Sequence, residues 1–143
     1  MIPRYSRPEM TAIWSEQRKL ELWWKVELQA CEAMATLGEL PDGVIESLRT
    51  AQVPTPEAVH AIERVTRHDV AAFVQCMEEQ TGKKAGRFIH LGMTSSDVLD
   101  TTLAIQLRDA SDLLLAGLRT LAGTFETRAQ EHKYTPMIGR SHG

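Results

Sequence analysis

A chain of 143 residues that is 43% hydrophobic and 24% charged lies within the range of soluble globular proteins and carries enough apolar residues for a packed core. Its net charge of −3, with no long run of either sign, lacks the basic excess of a sequence-independent nucleic-acid binder. No apolar stretch approaches membrane-spanning length, Met1-Ile2-Pro3-Arg4-Tyr5 has no signal-peptide core, and Cys31 and Cys76 match neither a zinc spacing nor a CxxC redox pair.

The chain opens on a polar arm, Met1 to Glu9, interrupted by Pro3 and Pro8. From about Ser15 to Leu37 the spacing predicts a long amphipathic helix. Leu20, Trp24, Leu28, Cys31, Met34 and Ala35 recur largely every three or four residues, which is one helical face. Ser15 suits the N-cap, and Gly38 the left-handed residue beyond the end. A short helix is expected after Asp42, with Val44, Ile45 and Leu48 inward. Thr55-Pro56-Glu57 is a helix start: a capping hydroxyl, a proline in the first turn, an acid near the positive end of the dipole. That helix carries Ile62 and Val65 and breaks at Thr66-Arg67-His68-Asp69. The pattern resumes with Val70, Phe73, Val74 and Met77 and is expected to stop at Gly82.

Gly82 to Ser95, with Gly86 and Gly92 inside it, reads as a loop. Ser95-Ser96-Asp97 then opens the longest helix, to about His132. Its stripe is Leu99, Leu103, Leu107, Ala110, Leu114, Leu118, Leu121 and Phe125. A rod of that length suggests a helical bundle. The small preceding helices cannot cover such a stripe, so further helices are expected from the same chain, from another subunit, or from both. No segment alternates with strand periodicity. The expected fold is all-α, with a small helical domain over residues 1–95 and the start of a central helical bundle over 96–143. Cys31 and Cys76 read as buried free thiols, which fits a reducing, cytoplasmic setting.

Candidate chemistry gathers where the helices break: Arg4-Tyr5, Arg67-His68-Asp69, His90 with Thr94-Ser95, and Arg140 to His142. Guanidinium forks grip phosphate or carboxylate. Thr94-Ser95-Ser96 places hydroxyls and free N–H groups at a helix N-terminus, a natural anion site. Each has a plainer reading. Arg4-Tyr5 fits a solvated arm, Arg67-His68-Asp69 an inter-helix joint capped by Asp69, and Thr94 to Asp97 a simple cap. His90 alone fits a structural role. His60 and His132 have no implied polar partners, and Glu78-Glu79 fits a solvated helix end. The five histidines form no HExxH or other ligand spacing, so no metal is expected. From the residues alone, the reading is a helical protein with a possible polyanion site.

Taken together, four runs carry a resemblance. Ile2 to Met10 with Ile13-Trp14-Ser15-Glu16, then Thr66-Arg67-His68-Asp69-Val70, then His90-Leu91-Gly92-Met93-Thr94-Ser95-Ser96-Asp97-Val98-Leu99-Asp100-Thr101, then Glu131 to Tyr134 with Gly139-Arg140-Ser141-His142-Gly143, closely resemble the front part of bacterial adenylosuccinate lyases. These belong to the fumarase/aspartase superfamily. The runs occur in that family's order along the whole chain. Fumarases and argininosuccinate lyases tend to follow the histidine matching His142 with Leu-Gln, whereas Gly143 follows here. Ser141 stands where the family often has threonine, and the hydroxyl is kept.

The resemblance implies the N-terminal part of a lyase that eliminates fumarate from adenylosuccinate to give AMP, and from the succinyl-carboxamide ribonucleotide of purine synthesis. It implies His142 as general acid with His90 assisting. Arg4, Tyr5, Arg67, His68 and Asp69 would bind the nucleotide, and Thr94 and Ser95 a succinyl carboxylate. The base is expected on a serine of the family's flexible loop, beyond Gly143. The resemblance implies no cofactor. It implies a homotetramer whose active sites draw on three subunits. Two alternatives stay open: another lyase of the superfamily, such as one acting on argininosuccinate, and a non-enzymatic helical interaction module.

Overall fold

The computed structural model describes residues 2–142. Every regular element among them is helical, as the periodicity predicts. A 3-10 turn, Pro3–Tyr5, opens the arm and is followed by α1, Pro8–Ile13. Next come α2, Glu16–Thr36; α3, Val44–Arg49; α4, Pro56–Thr66; α5, Asp69–Gly86; and α6, Ser95–Glu131. No helix among the described residues is long and apolar enough to cross a membrane. The chain divides into two compact units, Met1–Leu107 and Arg108–Gly143.

The first unit is built around α2. The Ser15 hydroxyl caps it, accepting from the N–H of Arg18 at 3.2 Å, and Gly38 past its end has φ 75°. Its buried residues are Leu20, Leu22, Trp23, Trp24, Glu27 and Cys31. That arc is wider than the expected stripe because α2 is flanked by α1, α3 and α4. Trp23 meets Phe73 of α5 edge to face, ring centroids 5.5 Å apart. Around this pair close Leu48, Val44, Met77, Val70 and Val98. Burying each such side chain stabilises the fold by roughly 1.5–3 kcal/mol.

The α4 start is as expected, with the Thr55 hydroxyl accepting from the N–H of Ala58 and Pro56 in the first turn. Val59 is buried. Val65, expected to belong with Ile62, is 83% exposed. At 3.6 residues per turn, six positions carry it about 240° round from Val59 and off the inner face.

The Gly82–Ser95 stretch departs from the expected loop. At Gly82 (φ 73°, ψ 162°) the chain kinks, in a conformation open to glycine alone, and helix resumes to Gly86. Ala85, Phe88 and Ile89 are then buried. The glycines masked this short apolar pattern. A Cβ at Gly86 would lie 2.9 Å from the Cα of Glu78, so the added turn folds back on α5 at a distance only glycine permits.

Helix α6 starts with half of a capping box: the N–H of Thr94 donates to Oδ2 of Asp97 at 2.8 Å. Within the first unit its packed face is Val98, Thr102 and Gln106, all buried. Gln106 donates through Nε2 to the carbonyl of Ile13 at 2.7 Å, which ties α6 to the end of α1. Leu103 and Leu107, placed on the expected stripe, are about half exposed. The buried row lies one residue, about 100°, round the helix from the leucine row.

The second unit holds the rest of α6 and the segment to His142. Ala110 of the expected stripe is buried, while Leu114, Leu118, Leu121 and Phe125 are between 47% and 65% exposed, so the stripe is open from Leu114 onward.

Both cysteines are free and buried, as expected. The Cys31 thiol donates to the carbonyl of Phe88 at 3.5 Å. Burial first, then the charge of Glu27, pushes its pKa up to about 11. Burial, then Glu79, raises that of Cys76. Thiolate is the nucleophile, so neither residue should react with a thiol-specific chromophore at pH 8 in the native state, and both should react once the chain is unfolded in guanidinium. The unfolded chain ionises Cys31 more readily, so this residue's stabilisation is lost as pH climbs from about 9 towards about 11. A denaturation series across that window should show stability falling.

Candidate active site

The polar runs sit where helices end because chain reversals leave backbone donors unpaired, and short polar side chains satisfy them. Between α4 and α5 the chain turns on Arg67, in the left-handed region at φ 57°. Its N–H still bonds back to the carbonyl of Glu63 at 2.8 Å. His68 is the N-cap of α5: its Nδ1 accepts from the N–H of Ala71 at 3.3 Å. The cap is therefore His68. Asp69 instead accepts through Oδ1 from the N–H of Val70 at 2.8 Å, and it lies 3.6 Å from His68 Nδ1.

An imidazole that accepts through Nδ1 carries its proton on Nε2. That Nε2 lies 3.1 Å from the hydroxyl of Ser95, the first residue of α6. His68 Nε2–H donates to Ser95 Oγ, which leaves the Ser95 O–H free to donate onward. This contact joins the N-termini of α5 and α6. Two helix N-termini turned on one place favour an anion there.

His90 lines the same cleft, of about 480 Å³, with His68, Val70, Ala71, Val74, Gln75, Glu78 and Ser95. It too is left-handed, at φ 62°, which for a non-glycine residue costs on the order of 1–3 kcal/mol. The turn is held by Glu27 of α2. One carboxylate oxygen accepts from the His90 N–H at 2.9 Å, and the other lies 2.6 Å from Nδ1 of the ring. Glu27 is fully buried, while the His90 side chain is 23% exposed. Among the described residues the Nε2 of His90 has no hydrogen-bond partner.

His68, Ser95 and His90 are thus gathered at one cleft, with Asp69 and Thr94 adjoining them in the chain. Arg67 lines a separate cleft with His60, Glu63 and Arg64. Arg4 stacks its guanidinium over the Tyr5 ring at 4.7 Å, and Tyr5 is largely exposed. His142 belongs to the second unit and is exposed. Glu27, which holds His90, is a residue of this neighbourhood that sequence reasoning missed. Its signal was a carboxylate one helical turn from both Trp23 and Cys31, on an otherwise apolar face.

A family described as lyases matches residues 4–143. The adenylosuccinate lyase of Synechocystis sp. is 48% identical over all of this chain, which spans 33% of that protein. That of Bacillus subtilis is 43% identical with the same coverage. The chain therefore spans about a third of the length of these relatives. Among solved structures, the 3-carboxy-cis,cis-muconate lactonizing enzyme of Pseudomonas putida superposes with a TM-score of 0.87 at 31% identity, over 96% of this chain and 32% of that one.

His68 both caps α5 and bonds Ser95, so His68→Ala should destabilise the protein by about 1–2 kcal/mol. His68→Asn restores a good capping group without the Ser95 contact and should recover part of the loss. Urea denaturation of the three proteins measures this.

Proposed function

The chain belongs to the lyase family that matches it from Arg4 to Gly143, and on that premise we propose that it is the N-terminal part of an adenylosuccinate lyase. The reaction is β-elimination of fumarate from adenylosuccinate to leave AMP, and from the succinyl-carboxamide ribonucleotide in the same way. The substrate carries a phosphate and two carboxylates. The observation that carries the reading is the His68–Ser95 contact at 3.1 Å, which brings two helix N-termini together at a cleft that His90 also lines and that suits an anionic ligand.

In this reading Thr94 and Ser95 hold a succinyl carboxylate, and the free Ser95 O–H supplies one donor. Arg4, Tyr5, Arg67, His68 and Asp69 bind the nucleotide end. Elimination needs a base for the proton beside a carboxylate, donors for the resulting dianion, and an acid for the leaving nitrogen. His142 is the acid, since an imidazole exchanges protons near neutral pH. His90 assists. The base, a serine, lies in the part of the relatives' length this chain does not span. Residues 96–143 open the central bundle domain. The exposed Leu114, Leu118, Leu121 and Phe125 are the face that a homotetramer would cover. A cytoplasmic location fits the substrate.

Two measurements test the reading. The complete polypeptide should release fumarate from adenylosuccinate, followed by ultraviolet absorbance, whereas the 143-residue chain alone should show no measurable turnover. Argininosuccinate should not be cleaved, and preference for it would transfer the protein to another lyase of the superfamily. In the complete enzyme His142→Ala should lower kcat by about 10²–10⁴-fold, the span of general acid catalysis. Near-normal turnover with an intact fold would remove His142 from the acid role.

A further inference from the structure

Glu27 is the one fully buried carboxylate of the first unit's core among the described residues, and both of its oxygens are committed to one residue, His90. A carboxylate left alone in an apolar core is strongly disfavoured. Its place there calls for a partner that needs it. The Glu27 contacts do two separable things. The bond to the His90 N–H holds the backbone in its left-handed turn. The bond at Nδ1 fixes the ring.

A neutral imidazole that donates its Nδ1 proton to a carboxylate has its lone pair on Nε2. Nε2 is the ring nitrogen left to meet a ligand in the cleft that His90 shares with His68 and Ser95. The two imidazoles are then complementary. His68 accepts from backbone through Nδ1 and spends its Nε2 proton on Ser95. His90 is turned the other way, with Nε2 as the proton acceptor. Carboxylate, imidazole and open nitrogen in sequence form the arrangement by which an imidazole is kept in one tautomer and one orientation for proton exchange.

We propose that Glu27 is a positioning residue for His90: the buried carboxylate locks the Nδ1–H tautomer and aims Nε2 into the cleft, where it accepts a hydrogen bond from the bound substrate. In its kinetic consequences this inference rests on the lyase reading, but the ring geometry is open to test without it.

The experiment compares the complete enzyme with Glu27→Gln and Glu27→Asp. Nitrogen-15 NMR of histidine-labelled protein reports the His90 tautomer, the signal being assigned with His90→Gln. Wild type should show a single Nδ1–H tautomer for His90 at pH 8. Glu27→Gln should show exchange between tautomers. Its kcat should fall about 10–100-fold, the loss seen when the carboxylate that orients a metal-ligating imidazole is removed, with KM changed less than about threefold and the pH profile of kcat displaced. Glu27→Asp should restore part of both signals. A well-folded Glu27→Gln with an unaltered His90 tautomer and unaltered kcat overturns the proposal. So does a loss of thermal stability with the tautomer and pH profile unmoved, because that outcome makes Glu27 structural only. If Glu27→Gln does not fold, the Glu27→Asp spectrum and kinetics decide by the same criteria. If the wild-type enzyme does not cleave adenylosuccinate, the substrate reading fails, and the NMR comparison still decides the role of Glu27.

Discussion

A buried carboxylate that must be satisfied organises the first unit. Glu27 lies in the middle of α2, among tryptophans and leucines, and reaches across 63 positions of sequence to the turn before α6. Leaving such a charge unpaired would cost several kcal/mol, comparable to much of a small domain's net stability. The turn at His90 is therefore fixed to α2 by a penalty for dissociation rather than by a large gain on formation. The same bond supports the left-handed backbone at His90, a conformation that a side-chain-bearing residue keeps only where its surroundings impose it.

That fixed turn has a consequence for α6. Four residues after His90 comes Thr94, whose N–H is taken by Asp97, and the helix begins at Ser95. On the other side of the cleft, the left-handed Arg67 reverses the chain so that His68 caps α5. Two positive-φ residues, one on each side, thus set two helix starts against each other. The Ser95–His68 contact is where they meet. The aromatic contact of Trp23 with Phe73 joins α2 to α5, so core packing and the Glu27–His90 bonds together fix the two sides of the cleft.

Helix α6 serves two different surroundings with two rows of side chains. In the first unit it buries Val98, Thr102 and Gln106, and of the two polar residues in that row Gln106 has a carbonyl of α1 to bind. The neighbouring leucine row remains open, from Leu103 onward. A row of exposed leucines and a phenylalanine on one long helix is a surface with apolar area to bury.

The helices themselves were legible in the sequence, because local signals specify them. Ser15 and Thr55 cap, Pro56 starts a helix, Gly38 ends one, and the apolar spacing of α2 and α5 is strong enough to survive any packing arrangement. The site residues were legible as residue types at helix breaks, since polar groups collect where backbone donors are free. What remained hidden were the relations between segments. The burial of Glu27, the short helical turn after Gly82, the exposure of Val65 and the choice of the Val98 row over the leucine row each depend on which neighbour lies against a given helical face. Periodicity fixes the angular order of side chains around a helix, but only the packing of one helix on another decides which angle points inward. For the same reason, only the folded chain brings a carboxylate at position 27 to an imidazole at position 90.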